Sequence, residues 1–176
     1  MILPIPGFLI LLLTFPGVIV HEWAHKIACE RFGVRVLKVA YFRLNFSLTG
    51  GEAGYVIHER PQTYLASLCI SAAPLVVNSA LAFIVVAIAH QFHPDIGQEG
   101  PGELFLLWLG FSIGAHAFPS NQDMSNVTDH AAGESQFIRG LSNFLYITMC
   151  ILNALKVFWL DFVYSFLIVW LIYWPL

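Results

Sequence analysis

The stretch that decides the fold is Val20-His21-Glu22-Trp23-Ala24-His25, which closes an apolar N-terminal segment. Residues four apart in a helix lie one turn apart on the same face, so His21 and His25 can reach the same Zn²⁺. Glu22 then projects beside the open coordination position of that metal. Two histidines and a glutamate in this spacing are typical of a metal-dependent hydrolase.

The residues before this motif predict a membrane-spanning segment. No residue from Ile2 to Val20 carries a formal charge, and a helix of this length can cross a bilayer. Ionisable residues at the end of such a segment are costly, and they are therefore functional by default. We expect the segment to remain in the protein, because it lacks a basic start and runs directly into the metal motif.

The composition is that of an integral membrane protein. Of the 176 residues, 58% are hydrophobic and 11% are charged, which lies outside the norm for soluble domains. The length predicts a single domain. The net charge of −3 and the lack of a basic run argue against a nucleic acid partner. The three cysteines are scattered and predict neither a disulfide framework nor a cysteine metal site.

Four to five apolar segments follow one another along the chain. They cover about residues 2–32, 64–90, 103–118 and 141–176. The last stretch favours two segments that meet near Lys156 to Asp161, and one tilted helix is the alternative. Pro16 is expected to make the first helix irregular, and residues 120–140 are polar.

A short β structure is predicted between the first two helices. Apolar and basic residues alternate over Val34 to Leu44, Gly50-Gly51 turns the chain, and Ala53 to His58 is extended again. The predicted fold is therefore an all-α polytopic membrane protein of four to five transmembrane helices, with a small β-hairpin or sheet at the membrane surface after helix 1.

The distribution of basic residues orients the chain and indicates a third metal ligand. Six of the eight Lys and Arg residues fall between segments one and two: Lys26, Arg31, Arg35, Lys38, Arg43 and Arg60. The positive-inside rule places this loop and the sheet in the cytosol. If each apolar segment crosses the membrane once, the residues after Phe118 lie on the same side of the membrane as the His21/His25 motif. Two histidines leave a zinc site one protein ligand short, and Asp123 lies where that ligand is needed.

Three stretches of the sequence resemble the site-2 protease family of intramembrane zinc metalloproteases. They are HEWAHKIACERFGV, SAAPLVVNSALAF and HAFPSNQD, and together they span Val18 to Met124. The resemblance implies a catalytic core over about residues 2–125, followed by C-terminal helices over about residues 141–176. The chain has His116 where the family usually has Asn, and Met124 where it usually has Gly.

By this resemblance the chain is a zinc-dependent endopeptidase that cleaves a peptide bond in or beside the membrane. Zn²⁺ held by His21, His25 and Asp123 activates a bound water, and Glu22 takes the water's proton and delivers it to the leaving amine. His116 is a zinc ligand itself, a group that binds substrate or the oxyanion, or a structural histidine at the helix end that bonds to a carbonyl. Asn78 either holds the substrate or forms a hydrogen bond between packed helices.

The same resemblance implies a membrane protein or peptide as the substrate. The region from Val34 to His58 either receives the substrate as an added strand or only closes the cytosolic face. The compact chain and the lack of organelle signals predict that the protein lies in the bilayer of a prokaryotic inner membrane, and the positive-inside rule places the site towards the cytosol. Other membrane or cytosolic chains are expected to supply any regulation.

Two other classes of function remain open at this point. One is a membrane scaffold or receptor subunit that keeps the protease fold without turnover. The other is a small transporter or channel, for which the remaining intramembrane charges, Lys156 and Asp161, offer little.

Overall fold

The computed structural model describes residues 7–44, 53–92 and 100–174. Over these residues the chain is mostly helical and contains one small antiparallel sheet after the first helices, which confirms that part of the predicted fold. The helices are α1 (Gly7–Leu13), α2 (Phe15–Arg31), α3 (Tyr64–Phe92), α4 (Pro101–Ala115), α5 (Asn121–Ala131), α6 (Gln136–Leu155) and α7 (Leu160–Tyr173). The strands are β1 (Val36–Ala40) and β2 (Tyr55–His58).

The predicted first segment is two helices rather than one. The break is at Thr14, and Pro16 lies in the first turn of α2. A proline there needs no intrahelical partner for its nitrogen, whereas within a continuous helix its ring clashes with the preceding turn. Thr14 also donates a hydrogen bond from Oγ1 to the carbonyl of Ile10, 2.8 Å away, which caps α1. The metal motif thus lies within α2, about two turns after its start.

The end of α2 turns the chain into the sheet. Gly33 adopts a left-handed φ of 66°, and the N–H of Val34 donates to the carbonyl of Cys29 at 2.8 Å. This is the usual glycine termination of a helix. Strand β1 then pairs antiparallel with β2, with Val39 opposite Val56. The predicted turn at Gly50-Gly51 lies outside the described residues.

Helix α3 is the centre of the bundle and packs against α2, α4, α5 and α7. Small residues let these helices approach closely. A Cβ added at Gly110 would lie 2.6 Å from a methyl group of Val86, and one added at Gly114 would lie 2.6 Å from Oγ of Ser165. Close helix contact at small residues is typical of helices packed in membranes.

Helix α5 lies in the polar stretch 120–140, where no element was predicted. Ser120 and Asp123 form a capping box, in which each side chain accepts a hydrogen bond from the other residue's backbone N–H. Its buried residues, Met124, Val127 and Ala131, recur at helical spacing and face α3. Because the mean hydropathy of residues 120–140 is low, the sequence did not indicate that the stretch forms an amphipathic helix.

The C-terminal stretch forms two helices, as predicted, and they meet within the predicted range. Helix α6 begins at Gln136, five residues before the predicted start, and ends at Leu155. One 3₁₀ turn, Lys156–Phe158, follows, and Trp159 takes a left-handed φ of 65° before α7 begins. The turn contains no Gly or Pro. Instead, Trp159 adopts the positive φ that glycine usually provides at such a position.

Within the part of the chain that the structure describes, two stretches are long and apolar enough to cross a membrane, Tyr64–Phe92 and Gln136–Phe158. Helices α4 and α7 are apolar but shorter. The bundle has two distinct ends. The metal motif, the sheet and the end of α4 lie at one, and at the other the hydroxyl of Tyr173 donates to Oε1 of Glu103 at 2.8 Å, joining the end of α7 to the start of α4.

Candidate metal centre

Three side chains from two distant parts of the sequence meet beside the first turn of α5. One ligand atom from each of His21, His25 and Asp123 lies within 4.8 Å of the other two. His25 is buried, and His21 and Asp123 are half-buried. The structure thus brings together the three residues predicted to bind a metal, in a group that could hold a metal ion.

The backbone fixes which imidazole nitrogen faces this group. Nδ1 of His21 donates to the carbonyl of His116 at 2.7 Å, and Nδ1 of His25 donates to the carbonyl of Ile70 at 2.9 Å. A carbonyl can only accept, so in each neutral imidazole Nδ1 carries the proton and Nε2 carries a lone pair. The two Nε2 atoms lie 3.2 Å apart. Two lone pairs at that distance repel each other unless a cation or a proton lies between them.

Two of the distances within this group are close to those in a shared tetrahedral metal site. Two ligands at about 2.0 Å from a tetrahedral zinc are about 3.3 Å apart. The Nε2 atoms of His21 and His25 are 3.2 Å apart, and Oδ2 of Asp123 lies 3.5 Å from Nε2 of His25. Two imidazoles and one carboxylate are also the ligand set of catalytic zinc sites, which keep one position open. The donor set therefore fits zinc.

Ser120 holds the carboxylate of Asp123 in place. Oδ2 of Asp123 accepts hydrogen bonds from the backbone N–H of Ser120 at 2.8 Å and from its Oγ at 2.6 Å. Burial alone would raise the pKa of Asp123. In the metal-free site a proton on His25, the bonds from Ser120 and the nearby His21 outweigh that effect and lower the pKa to about 2. The carboxylate is thus charged and oriented. In the sequence, the Ser-x-x-Asp capping pattern is the feature that indicates this contact between Ser120 and Asp123.

Glu22 lies beside the metal group and beneath the start of β2. Its side chain is 8% exposed. A Cβ added at Gly54 would lie 2.6 Å from Cγ of Glu22 and 2.9 Å from Oε1. Glycine is therefore required where the sheet passes over the carboxylate. No sequence pattern marked Gly54, because its role depends on a contact across 32 residues.

His116 contributes its backbone carbonyl rather than its ring to the metal group. Its Nε2 lies 2.8 Å from Oγ1 of Thr14, whose own proton is donated to Ile10. The His116 ring therefore donates to Thr14 and is not one of the three grouped ligands. Its carbonyl accepts from His21 and so orients the first imidazole.

Asn78 is fully buried and joins three helices. Its Nδ2 lies within hydrogen-bond distance of three carbonyls, those of Gly17 at 3.2 Å, Ile113 at 3.1 Å and His116 at 3.2 Å, so its two N–H groups are shared among them. Its Oδ1 has no hydrogen-bond partner among the described residues. This geometry is the helix-packing role that the sequence left open for Asn78. It also steadies the His116 carbonyl that accepts from His21.

A cavity of about 690 Å³ opens over the metal group. Its lining includes His21, Glu22, His25, Asp123 and residues 53–58 around β2. A second cavity of about 570 Å³ shares residues 56–58 with the first and continues along β2 to Pro61. Lys156, which was not predicted as a site residue, also lines the first cavity.

The described residues therefore contain one group of three metal-binding side chains, with a buried glutamate beside it and a cavity over it. Comparison of the chain with protein-family models, with curated proteins and with solved structures found no match.

Proposed function

We propose that the protein is a zinc-dependent intramembrane endopeptidase of the site-2 protease type. The observation that carries the proposal is the pair of Nε2 atoms that face each other at 3.2 Å, with Asp123 beside them and Glu22 in the same cavity. Such a group has a donor for each of three zinc positions, and the carboxylate of Glu22 lies beside it.

Zinc held by His21, His25 and Asp123 would supply a Lewis acid that makes water more acidic and polarises a carbonyl group. The chain itself supplies the base. The buried carboxylate of Glu22 takes the proton of the attacking water and returns it to the amine that leaves. The carbonyls of His116 and Ile70 keep both imidazoles in the tautomer that binds a metal.

The substrate is proposed to be an extended peptide that lies along β2. The two cavities share residues 56–58 and follow this strand for its whole length. One edge of β2 pairs with β1, and no backbone hydrogen bond of the described residues joins its other edge to another strand. A peptide added at that edge would gain main-chain hydrogen bonds and would pass Glu22 beneath Gly54.

The exposed apolar surface supports the proposed multi-pass membrane location. Large hydrophobic side chains face outward on most helices rather than into a core, which is unusual for a soluble protein. Examples are Ile19, Trp23, Ile27, Phe83, Ile84, Ile88, Leu104, Phe105, Phe144, Ile147, Ile151, Val163, Phe166 and Leu167. The basic residues after His25 support an orientation with the metal centre towards the cytosol.

Glu22→Gln tests this function, with Glu30→Gln as its matched control. Glu30 lies on the same helix but is exposed and paired with Lys26 at 2.7 Å. We expect purified wild-type protein and both variants to hold one zinc per chain. Cleavage of a co-expressed membrane substrate should fall by at least about 10²-fold in Glu22→Gln, because proton transfer is lost, and stay unchanged in Glu30→Gln.

The two alternatives give different results in the same experiment. Zinc in every protein but no cleavage by the wild type would indicate a scaffold or receptor subunit that keeps the fold without turnover. No zinc in any of the three proteins would reject the metal centre and favour the transporter or channel class.

A further inference from the structure

Lys156 is the only Lys or Arg among the described residues that line the cavity over the metal group. It lies in the 3₁₀ turn between α6 and α7, more than 30 residues after the last of the proposed metal ligands. The side chain is half-buried, and its ammonium lies within electrostatic range of the carboxylates of Asp161 and Asp123. It also lies within that range of His21 and His116. A positive charge therefore faces the place where the proposed reaction occurs.

The turn that carries Lys156 is joined to the segment that leads into Asp123. Nδ2 of Asn153 donates to the carbonyl of Pro119 at 3.0 Å and to Oδ1 of Asn121 at 2.8 Å, which ties the end of α6 to that segment. After the turn, Trp159 takes a left-handed φ and α7 begins. A bulky residue with positive φ persists only where the surrounding structure requires it.

The ammonium of Lys156 has an aromatic neighbour and no acidic partner in contact. It lies 6.0 Å from the centre of the Phe118 ring, which itself packs on Tyr164 at 5.0 Å. No carboxylate in the described part of the chain lies within 4.0 Å of Nζ. Oδ2 of Asp123 is already bound by Ser120. A half-buried cation without an ion pair is costly, so it favours an anionic oxygen supplied by a bound ligand.

We propose that Lys156 is a catalytic residue that stabilises the negative charge formed on the carbonyl oxygen of the scissile peptide bond. This inference depends on the proposed function. As the oxygen of water bonds to the carbonyl carbon, the π electron pair moves to the carbonyl oxygen and the water proton goes to Glu22. When that pair returns, the C–N bond breaks and Glu22 gives the proton to the amine. Lys156 keeps its own protons throughout and acts by charge.

The ring of His116 does not stabilise the oxyanion, because it donates its hydrogen bond to another residue, whereas Lys156 is available to do so. The sequence offered His116 as an oxyanion group, but its Nε2 donates to Thr14. The ammonium of Lys156 makes no hydrogen bond to any described side chain or carbonyl, and a donor of that kind is what a developing oxyanion requires.

Lys156→Gln tests the inference, with Lys156→Arg as the charge-preserving variant and Arg139→Gln as the control. Arg139 is an exposed cation at the other end of α6. We expect Lys156→Gln to lower kcat by about 10²-fold with KM within about twofold of wild type. Lys156→Arg should keep at least about a tenth of the wild-type kcat, and Arg139→Gln should leave kcat unchanged.

A binding measurement gives a second readout that does not depend on turnover. An uncleavable phosphonate peptide carries an anionic tetrahedral centre, and a neutral ketone analogue of the same sequence does not. In zinc-loaded protein, Lys156→Gln should weaken the phosphonate by about 10²-fold and leave the ketone and the zinc content unchanged. The Lys156→Arg protein should bind the phosphonate within about tenfold of wild type.

Two results would overturn the inference and leave the proposed function intact. One is wild-type cleavage with unchanged kcat and unchanged phosphonate affinity in Lys156→Gln. The other is a rise in KM confined to substrates with an acidic side chain near the scissile bond, which would make Lys156 a side-chain recognition residue. Failure of wild-type cleavage, by contrast, would reject the proposed function itself.

Discussion

At the scale of single residues, the chemistry of the site depends on two backbone carbonyls. Those of His116 and Ile70 accept from the Nδ1 atoms of the two motif histidines and leave both Nε2 lone pairs facing one point. The His116 carbonyl accepts a further bond from Asn78. Groups that fix the tautomer of a metal-binding imidazole raise its affinity as well as orient it.

Ser120→Ala should weaken zinc binding, because it removes the Oγ donor to Oδ2 of Asp123 and keeps the backbone one. We expect a zinc dissociation constant about 10-fold higher, measured by competition with a chelator. Ser135→Ala is the matched control, since Ser135 caps α6 in the same way, by accepting from Ile138 N–H at 3.4 Å, away from the metal group. Equal zinc affinities in the two variants would show that Ser120 serves only as a helix cap.

The residues that a short pattern defines could be predicted from the sequence, and the others could not. His21, Glu22 and His25 follow from their spacing, and Asp123 followed from counting crossings. Gly54 acts through a contact with a residue far away in the sequence, and so has no local signature. From the sequence, Lys156 is only a charged residue within an apolar stretch. Its position at the cavity depends on the turn between α6 and α7.

At the scale of elements, the start of β2 lies directly over Glu22, so its position restricts the carboxylate that we propose as the catalytic base. Gly54→Ala should lower kcat by about 10²-fold, because the added Cβ would lie 2.6 Å from Cγ of Glu22 and would displace it. Zinc should remain bound, since His21 and His25 are not in that contact. Gly102→Ala is the control, because nothing lies within 4 Å of its added Cβ. Wild-type kcat in Gly54→Ala would mean that the strand does not restrict Glu22.

Helix α5 shows where hydropathy is a poor guide. Its three buried apolar residues are separated by polar ones, so the average over residues 120–140 is low. The local signals were the cap at Ser120 and the helical spacing of Met124, Val127 and Ala131.

The break between α1 and α2 at Thr14 is a case in which the sequence indicated a disruption but not its form. Pro16 was recognised as a disruption, but its placement in the first turn of a new helix depends on the hydrogen bonds of Thr14.

At the scale of the whole molecule, the two ends of the bundle differ in chemistry. One end carries the metal group, the sheet and most of the basic residues, and the other carries the buried Glu103 and Tyr173 pair. The mostly helical fold could be predicted from the apolar segments. The limits of α4 follow the predicted segment within about three residues. The packing of α6 mainly on α5 could not be predicted, because α5 lies in a polar stretch.

Labelling of single cysteines tests the proposed orientation. Arg35→Cys and Gly102→Cys place one thiol at each end of the bundle, in a protein whose Cys29, Cys69 and Cys150 are replaced by serine or alanine. On intact cells a membrane-impermeant maleimide should label Gly102→Cys and not Arg35→Cys, because the positive-inside rule predicts that the basic end is cytosolic. Permeabilised cells should show both labels. The reverse pattern on intact cells would place the metal centre outside the cytosol.

The most direct test of the metal centre is zinc X-ray absorption on the purified protein, together with the zinc content of His25→Ala and His90→Ala. We predict one zinc per chain with two imidazole nitrogens at about 2.0–2.1 Å and a carboxylate oxygen at about 2.0–2.2 Å. His25→Ala should lose the metal, and His90→Ala, at the far end of α3, should keep it. Protein without zinc, or zinc without imidazole ligands, would contradict the account.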